Sequence, residues 1–207
     1  MSSYTLTVSF DADSLQQLLQ AGLSVVVAKG IARQPHPLAW LMFKPFMENT
    51  IAWDDSISVY ASEQELLAGS VINRNSFLPA SSGNQYVFRN GVFTPSPKRT
   101  ESAGYQMVNE SGRTLTMGLS QPATVNGESV NGLISAETVP HGMMDEVIPL
   151  EELDVFLMSG TAPGTVLTAE GPLQTVRSQA IRVVFGNGVT SAGIRYDPSI
   201  GTFVRVS

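Results

Sequence analysis

The side chains best suited to chemistry lie within residues 38–61. This stretch holds both tryptophans, Trp40 and Trp53, and the only adjacent aspartates, Asp54 and Asp55, together with Asn49 and Tyr60. A flat apolar ring can stack on a sugar or head group while carboxylate and amide groups fix its hydroxyls, and small-ligand sites combine the two. Trp40, Asn49, Trp53, Asp54, Asp55 and Tyr60 are therefore the candidate ligand-binding residues. The competing reading makes both indoles core, because each sits in an apolar alternating run.

Asp55 is where local pattern and burial conflict. Ile51, Trp53, Ile57, Val59 and Ala61 would share one face of an extended strand, and Asp55 falls on that same face. Burying an unpaired carboxylate there is costly, so a bend or bulge is expected at residues 54–56. Such conflicts are enriched at functional sites. In a straight strand Asp54 and Asp55 would point to opposite faces; in a bend they could share a cation or a hydroxyl-rich ligand. Glu151 and Glu152 meet the same geometric objection.

Other chemistry is thinly represented. The two histidines, His36 and His141, lie in proline-flanked segments without H-E-x-x-H or comparable metal-ligand spacing. A hydrolase using His141 with a carboxylate stays open, since triad members need not be close in sequence. There is no G-x-S-x-G elbow and no glycine-rich phosphate loop. With no cysteine, disulfides and thiolate sites are excluded. Asp11 and Asp13 read as helix-start signals rather than calcium ligands. No cofactor is expected; besides the Asp54–Asp55 bend, a cation is considered at the acidic stretch 145–154.

These residues need elements to position them. Residues 4–10 alternate as a half-buried strand. A short helix over residues 13–21 follows, capped by Asp13 with Gln16, lined by Leu15, Leu18 and Leu19, and closed by Gly22. Residues 23–28 read as a strand buried on both faces and ended by Lys29-Gly30. Pro45 must stop the strand through Trp40 and Met42 or place it at an edge. Residues 62–67 could form one helical turn. Asn90-Gly91 predicts a hairpin; a second is expected between residues 105–108 and 114–119, separated from the first by a polar connector over 94–103. Residues 121–132 are the best candidate for a boundary, giving halves 1–122 and 123–207, although one compact domain fits equally. Residues 140–149 read as a loop, 150–158 as a strand, and 180–206 as a three-stranded meander.

Bulk properties narrow the function classes. At 207 residues, 43% apolar and 14% charged, the chain can bury a core without staples and does not have a disordered composition. A net charge of −6 with twelve Lys and Arg offers no basic stripe for nucleic acid. No Lys or Arg lies between Arg113 and Arg177, where eight carboxylates occur, and four arginines follow from Arg177 onward. Pairing of these tail arginines with the carboxylates across neighbouring strands is the expectation. No apolar run is long enough to span a bilayer, and the N-terminus lacks a signal-peptide pattern, so a cytoplasmic or non-classically released protein is expected.

The expected fold is all-β, a β-sandwich or two packed β subdomains with one short helix after the first strand. The expected function is non-catalytic, lectin-like recognition of a carbohydrate or head group, with homo-oligomerisation open. A membrane-active, pore-forming protein using residues 10–22 is the alternative.

Overall fold

A computed structural model describes residues 2–33, 37–167 and 177–206. Strand β1 (Ser3–Ser9) leads into α1 (Ala12–Gln20), then β2 (Ser24–Ile31), β3 (Leu41–Phe43), β4 (Glu48–Asp54) and β5 (Ile57–Ser62). Next come β6 (Ser76–Ala80), β7 (Asn84–Arg89), β8 (Val92–Arg99), β9 (Tyr105–Asn109), β10 (Leu115–Val125) and β11 (Glu128–Leu133). The chain continues through β12 (Glu137–Val139), β13 (Met144–Val147), β14 (Pro149–Met158), β15 (Ile181–Val184), β16 (Ser191–Asp197) and β17 (Thr202–Val206). The fold is all-β, with packed sheets and the short helix directly after the first strand.

A large sheet runs β17-β16-β1-β4-β10-β5-β6, with β11 and β12 also on β10. The second sheet runs β15-β14-β2-β3 and the third β13-β9-β7-β8. One main core joins all three, through Leu6, Ile51, Val27, Val155, Phe88 and Met107 among others. Residues 25–28 are buried throughout, because the opposite face of β2, with Val26 and Ala28, packs with Phe156 and Met158 in a smaller core. This two-sided burial is what the unbroken apolar run predicts.

Helix α1 is capped by Asp11, not Asp13: its carboxylate accepts from the Ser14 backbone N–H at 2.8 Å and from the Ser14 hydroxyl at 2.6 Å. Leu18 is buried and Leu15 packs on the core, while Leu19 turns outward. Gly22 takes φ +67°, and the bonds from Gly22 N–H to Leu19 C=O and Leu23 N–H to Leu18 C=O close the helix. The apolar face of this segment is thus already used by the core.

Several local expectations are corrected. Strand β2 continues through Lys29 and Gly30 to Ile31, and residues 62–67 form no helical turn. The connector over 94–103 is largely strand: β8 carries Pro95 and Pro97 at the edge of the third sheet, where proline is tolerated. Strands β9 and β10 belong to different sheets, so no hairpin joins them; β9 instead pairs in parallel with β7 and antiparallel with β13, which lies inside the expected loop 140–149. The terminal meander is split. β15 pairs with β14 in the second sheet, whereas β16 and β17 lie in the large one. Phe185, packed edge-on against Trp53, leads the chain from one sheet towards the other.

Position 122 falls in the middle of β10, and β1 pairs in parallel with β16, so strands from the two proposed halves share one sheet. Arg182 grips Asp154 through two 2.9 Å hydrogen bonds between paired strands and lies 3.7 Å from Glu152. A tail arginine therefore meets the acidic stretch across a ladder, as expected.

Candidate functional site

Lys29 anchors the site. By the two-residue period of a strand it shares a face with Val25 and Val27, so β2 delivers its side chain into the core rather than to solvent. Its ammonium lies 2.8 Å from Glu151 Oε2, with 1% of the lysine side chain exposed against 32% of the glutamate. The same nitrogen sits 5.8 Å from the ring centre of Trp40 and 5.5 Å from that of Trp53. Those indoles meet edge-on at 5.8 Å, and Tyr4 and Phe185 pack around Trp53 at 5.5 and 4.9 Å. Buried ammonium, ring faces and one carboxylate form a cation–π cage closed by an ion pair.

Two bulges bring carboxylates to this cage. On β14, Pro149 pairs with Ile31 and Leu153 with Lys29, so residues 150–152 stand opposite Gly30 alone. Gly30 permits this crowding, because a Cβ there would lie 2.5 Å from Glu152 Cγ. On the large sheet Trp53 pairs with Ala123 and Ser58 with Ser120, so β4 and β5 spend five steps where β10 spends three. The surplus is the bend at residues 54–56 expected from the sequence. Asp54 caps it by accepting the Ser56 backbone N–H at 2.9 Å, and its carboxyl is lowered by hydrogen bonds from Ser56.

Asp55 is exposed and accepts the Ser2 backbone N–H at 2.8 Å. It joins Glu151 in acting electrostatically on both Lys29 and Tyr105. Burial depresses the Lys29 pKa below its ordinary value, opposed by Glu151 and, more weakly, Asp55. Burial first, then Tyr86 and these same carboxylates, pushes the Tyr105 phenol up to about 12. Lys29, Glu151, Asp55 and Tyr105 thus act on one another electrostatically; the lysine and the tyrosine are buried, and the two carboxylate side chains reach solvent. Gln121, opposite the bend, donates from its side-chain amide to the Asp54 carbonyl at 2.6 Å, and its backbone carbonyl accepts from Trp40 Nε1 at 3.0 Å.

The sequence-derived candidates separate into three groups. Trp40 and Trp53 are 0% and 4% exposed, so both indoles are core, and they serve as walls of the lysine cage. Asp54 and Asp55 mark the bend; Asp54 lines a shallow depression of about 270 Å³ on the outer face with Ser3, Pro122, Thr124 and Ser129. Asn49 and Tyr60 lie elsewhere. Asn49 is buried and holds the turn before β4, and Tyr60 donates to the Ser135 carbonyl at 2.7 Å inside a separate core cluster. Burial raises the Tyr60 pKa far above the ordinary phenol value.

Lys29, Tyr105 and Gln121 were not proposed as site residues from the sequence, and Glu151 was weighed only as a partner of Glu152 and set aside. A usable signal existed for two of them: Lys29 is in step with Val25 and Val27, and Glu151 with Leu153 and Val155. A charge in phase with an apolar face on each of two strands is the pattern of an ion pair reaching into the core.

His141 accepts the Gly112 backbone N–H at Nδ1, 3.0 Å away, and is exposed; His36 lies outside the described residues. The acidic stretch 145–154 is distributed among separate partners, with Glu146 on Ser102, Glu151 on Lys29, and Asp154 and Glu152 on Arg182. Among the described residues no three His, Asp or Glu side chains gather as a metal site. No helix of these residues is long and apolar enough to cross a membrane. Asn109, a sequon asparagine, is fully buried and donates to the Arg113 and Val139 carbonyls. The chain matches no protein-family model, and neither a curated protein nor a solved structure is similar to it.

Proposed function

We propose that this chain is a non-catalytic ligand-recognition protein that binds the hydroxyls of a carbohydrate or polar head group at the Asp55–Glu151–Tyr105 corner. The observation that carries the reading is the state of Glu151. Its side chain is 32% exposed while its carboxylate is held at 2.8 Å by a lysine buried against two indoles. Preorganised acceptors on rigid strands lose little freedom on binding, which favours recognition. Asp55 supplies a second acceptor from a different sheet, and Tyr105 adds a phenol. The buried tryptophans report on the lysine rather than stack on the ligand.

A glycan-array and lipid-strip screen tests this with wild type, Asp55→Asn and Glu151→Gln side by side. A retained glycan or head group that both variants lose, with tryptophan emission shifting on binding, is the expected result. Retention of nothing by the wild type, or equal retention by all three proteins, rejects the reading.

A further inference from the structure

We infer that Asn90 and Asn187 are self-modification sites, at which the next glycine's backbone nitrogen attacks the side-chain amide and converts asparagine to aspartate and isoaspartate. The chain holds four Asn-Gly pairs, at Asn90, Asn126, Asn131 and Asn187. Glycine in the second place leaves its nitrogen open to this attack, because it has no Cβ. Sequence alone ranks the four pairs equally, and the fold separates them.

Three of the pairs turn the chain in the same way. Asn90, Asn126 and Asn187 have φ of +52°, +52° and +51°, and the glycines after them +83°, +87° and +91°. These are two-residue hairpin turns with both central residues left-handed. Their side chains are held differently. Asn126 Oδ1 accepts the Thr50 N–H at 2.9 Å, and Nδ2 donates to Asn49 Oδ1 at 3.2 Å. Its backbone N–H also donates to the Thr50 carbonyl at 2.9 Å. Asn90 and Asn187 have no side-chain hydrogen bond among the described residues, and each is exposed together with its glycine. Arg89 and Val92 pair across the first of these turns; Gly186 and Val189 exchange backbone bonds of 3.0 and 2.9 Å across the second. Asn131 is different again. It lies within β11 opposite Pro122, and Gly132 packs against the Trp40 carbonyl.

Ring closure needs the chain at the asparagine to rotate until the glycine nitrogen meets Cγ. At Asn90 and Asn187 only the turn must open, a local event of low cost. At Asn126 three bonds to β4 must break as well, and at Asn131 the β10–β11 ladder must part. The glycine nitrogen gives its proton to hydroxide and bonds to Cγ. The Cγ–Nδ2 bond then breaks, and ammonia leaves with a proton taken from water. Water opens the resulting succinimide at either carbonyl, so asparagine plus water becomes a carboxylate plus ammonium. Nothing is oxidised or reduced. This chemistry does not depend on the function proposed above.

Ageing the full chain at 37 °C, at pH 7 and at pH 9, tests the assignment by tryptic mapping with fragment-ion mass spectrometry. Cleavage after Arg89 and Arg182 places Asn90 and Asn187 in separate peptides, and fragment ions resolve Asn126 from Asn131, which share one. Asn90 and Asn187 are expected to convert at least tenfold faster than Asn126 and Asn131, and faster at pH 9 than at pH 7. In urea the four rates are expected to draw together, because the unfolded chain keeps none of these contacts. Conversion of either Asn90 or Asn187 no faster than Asn126 and Asn131 overturns the inference. So do rates that ignore pH, and a spread that persists unchanged in urea rejects the fold as its cause.

Discussion

Lys29 Nζ and Glu151 Oε2 stand 2.8 Å apart, yet only the glutamate side of the pair reaches water. That asymmetry sets unequal consequences for removing each partner. Glu151→Gln leaves an ammonium buried without its counter-charge, a loss of up to about 3–5 kcal/mol. Lys29→Met takes the buried charge away and leaves a carboxylate that solvent can hydrate. Urea midpoints at pH 7 are expected to rank wild type above Lys29→Met and Lys29→Met above Glu151→Gln. Reversal of the last two would mean that the glutamate, not the lysine, bears the burial cost.

The same pair predicts an alkaline signature. Burial lowers the Lys29 pKa below 10.5, so between that lowered value and 10.5 the unfolded chain binds more protons than the folded one. Stability contributed by this residue therefore rises with pH across that window. Glu151 opposes the shift, so Glu151→Gln should extend the rise to lower pH, and Lys29→Met should abolish it. Denaturant melts between pH 7.5 and 9 read the slopes below the range where phenols ionise. Identical slopes for wild type and Lys29→Met would remove the depressed lysine from the account.

Asn49 was chosen from the sequence as a ligand-binding group, and the structure gives its amide four protein partners. Nδ2 donates to the Val8 and Phe46 carbonyls, and Oδ1 accepts from the Phe46 N–H and from Asn126 Nδ2. Asn49→Ala should cost about 1–3 kcal/mol for each of these groups that water cannot reach. Limited proteolysis should then cut first near Phe46 and Met47, both 60% exposed. A thermal midpoint within a degree of wild type would show that the turn holds itself.

Strand periodicity made part of this fold legible, because period-two burial acts locally and residues 4–10 and 48–54 obey it, whereas residues 59–62 and 155–158 are buried on both faces and do not. The bend at Asp54–Asp55 was legible for the same reason, as the one place within residues 51–61 where the period would bury a carboxylate. Partnership was not legible. Turn chemistry announces that Asn187 and its flanking glycines reverse or redirect the chain, but it carries nothing about which sheet receives Ile181 and which Ile194. The cage was hidden for a related reason. Lys29 and Glu151 are 122 residues apart, and the bulge that aims Glu151 is visible only once β2 and β14 are paired.

Gly132 offers a direct check on the close approach of β11 to the chain at Trp40. A methyl group there would meet the Trp40 carbonyl oxygen at 2.1 Å, a backbone atom with no rotamer to relieve the clash. Gly132→Ala should destabilise by at least about 1–3 kcal/mol, the usual range for overpacking. It should also shift tryptophan emission, because Trp40 must move. Gly127→Ala, whose Cβ meets nothing within 4 Å but whose φ is +87°, serves as a control for backbone strain alone. An unchanged emission spectrum in Gly132→Ala would contradict the contact.

Asp145 gives a prediction of opposite sign. Its Oδ2 is buried without a hydrogen-bond partner among the described residues, and burial raises its pKa above 3.8, with the Glu146 charge adding to the rise and a backbone bond from Glu146 opposing it. A carboxyl whose folded pKa is raised favours the folded state most below its unfolded pKa, and that advantage is lost as pH climbs through the folded value. At neutral pH the native state therefore carries a carboxylate it would rather protonate. Asp145→Asn keeps an acceptor for the Glu146 N–H and removes the charge, so it should melt higher than wild type at pH 7. Below pH 4 the two should converge, because the wild-type carboxyl is then neutral as well. Calorimetric midpoints at pH 7 and pH 3.5 supply the comparison. A variant less stable than wild type at pH 7 would mean that a cation or a basic group meets Asp145 in solution and that its charge is wanted there.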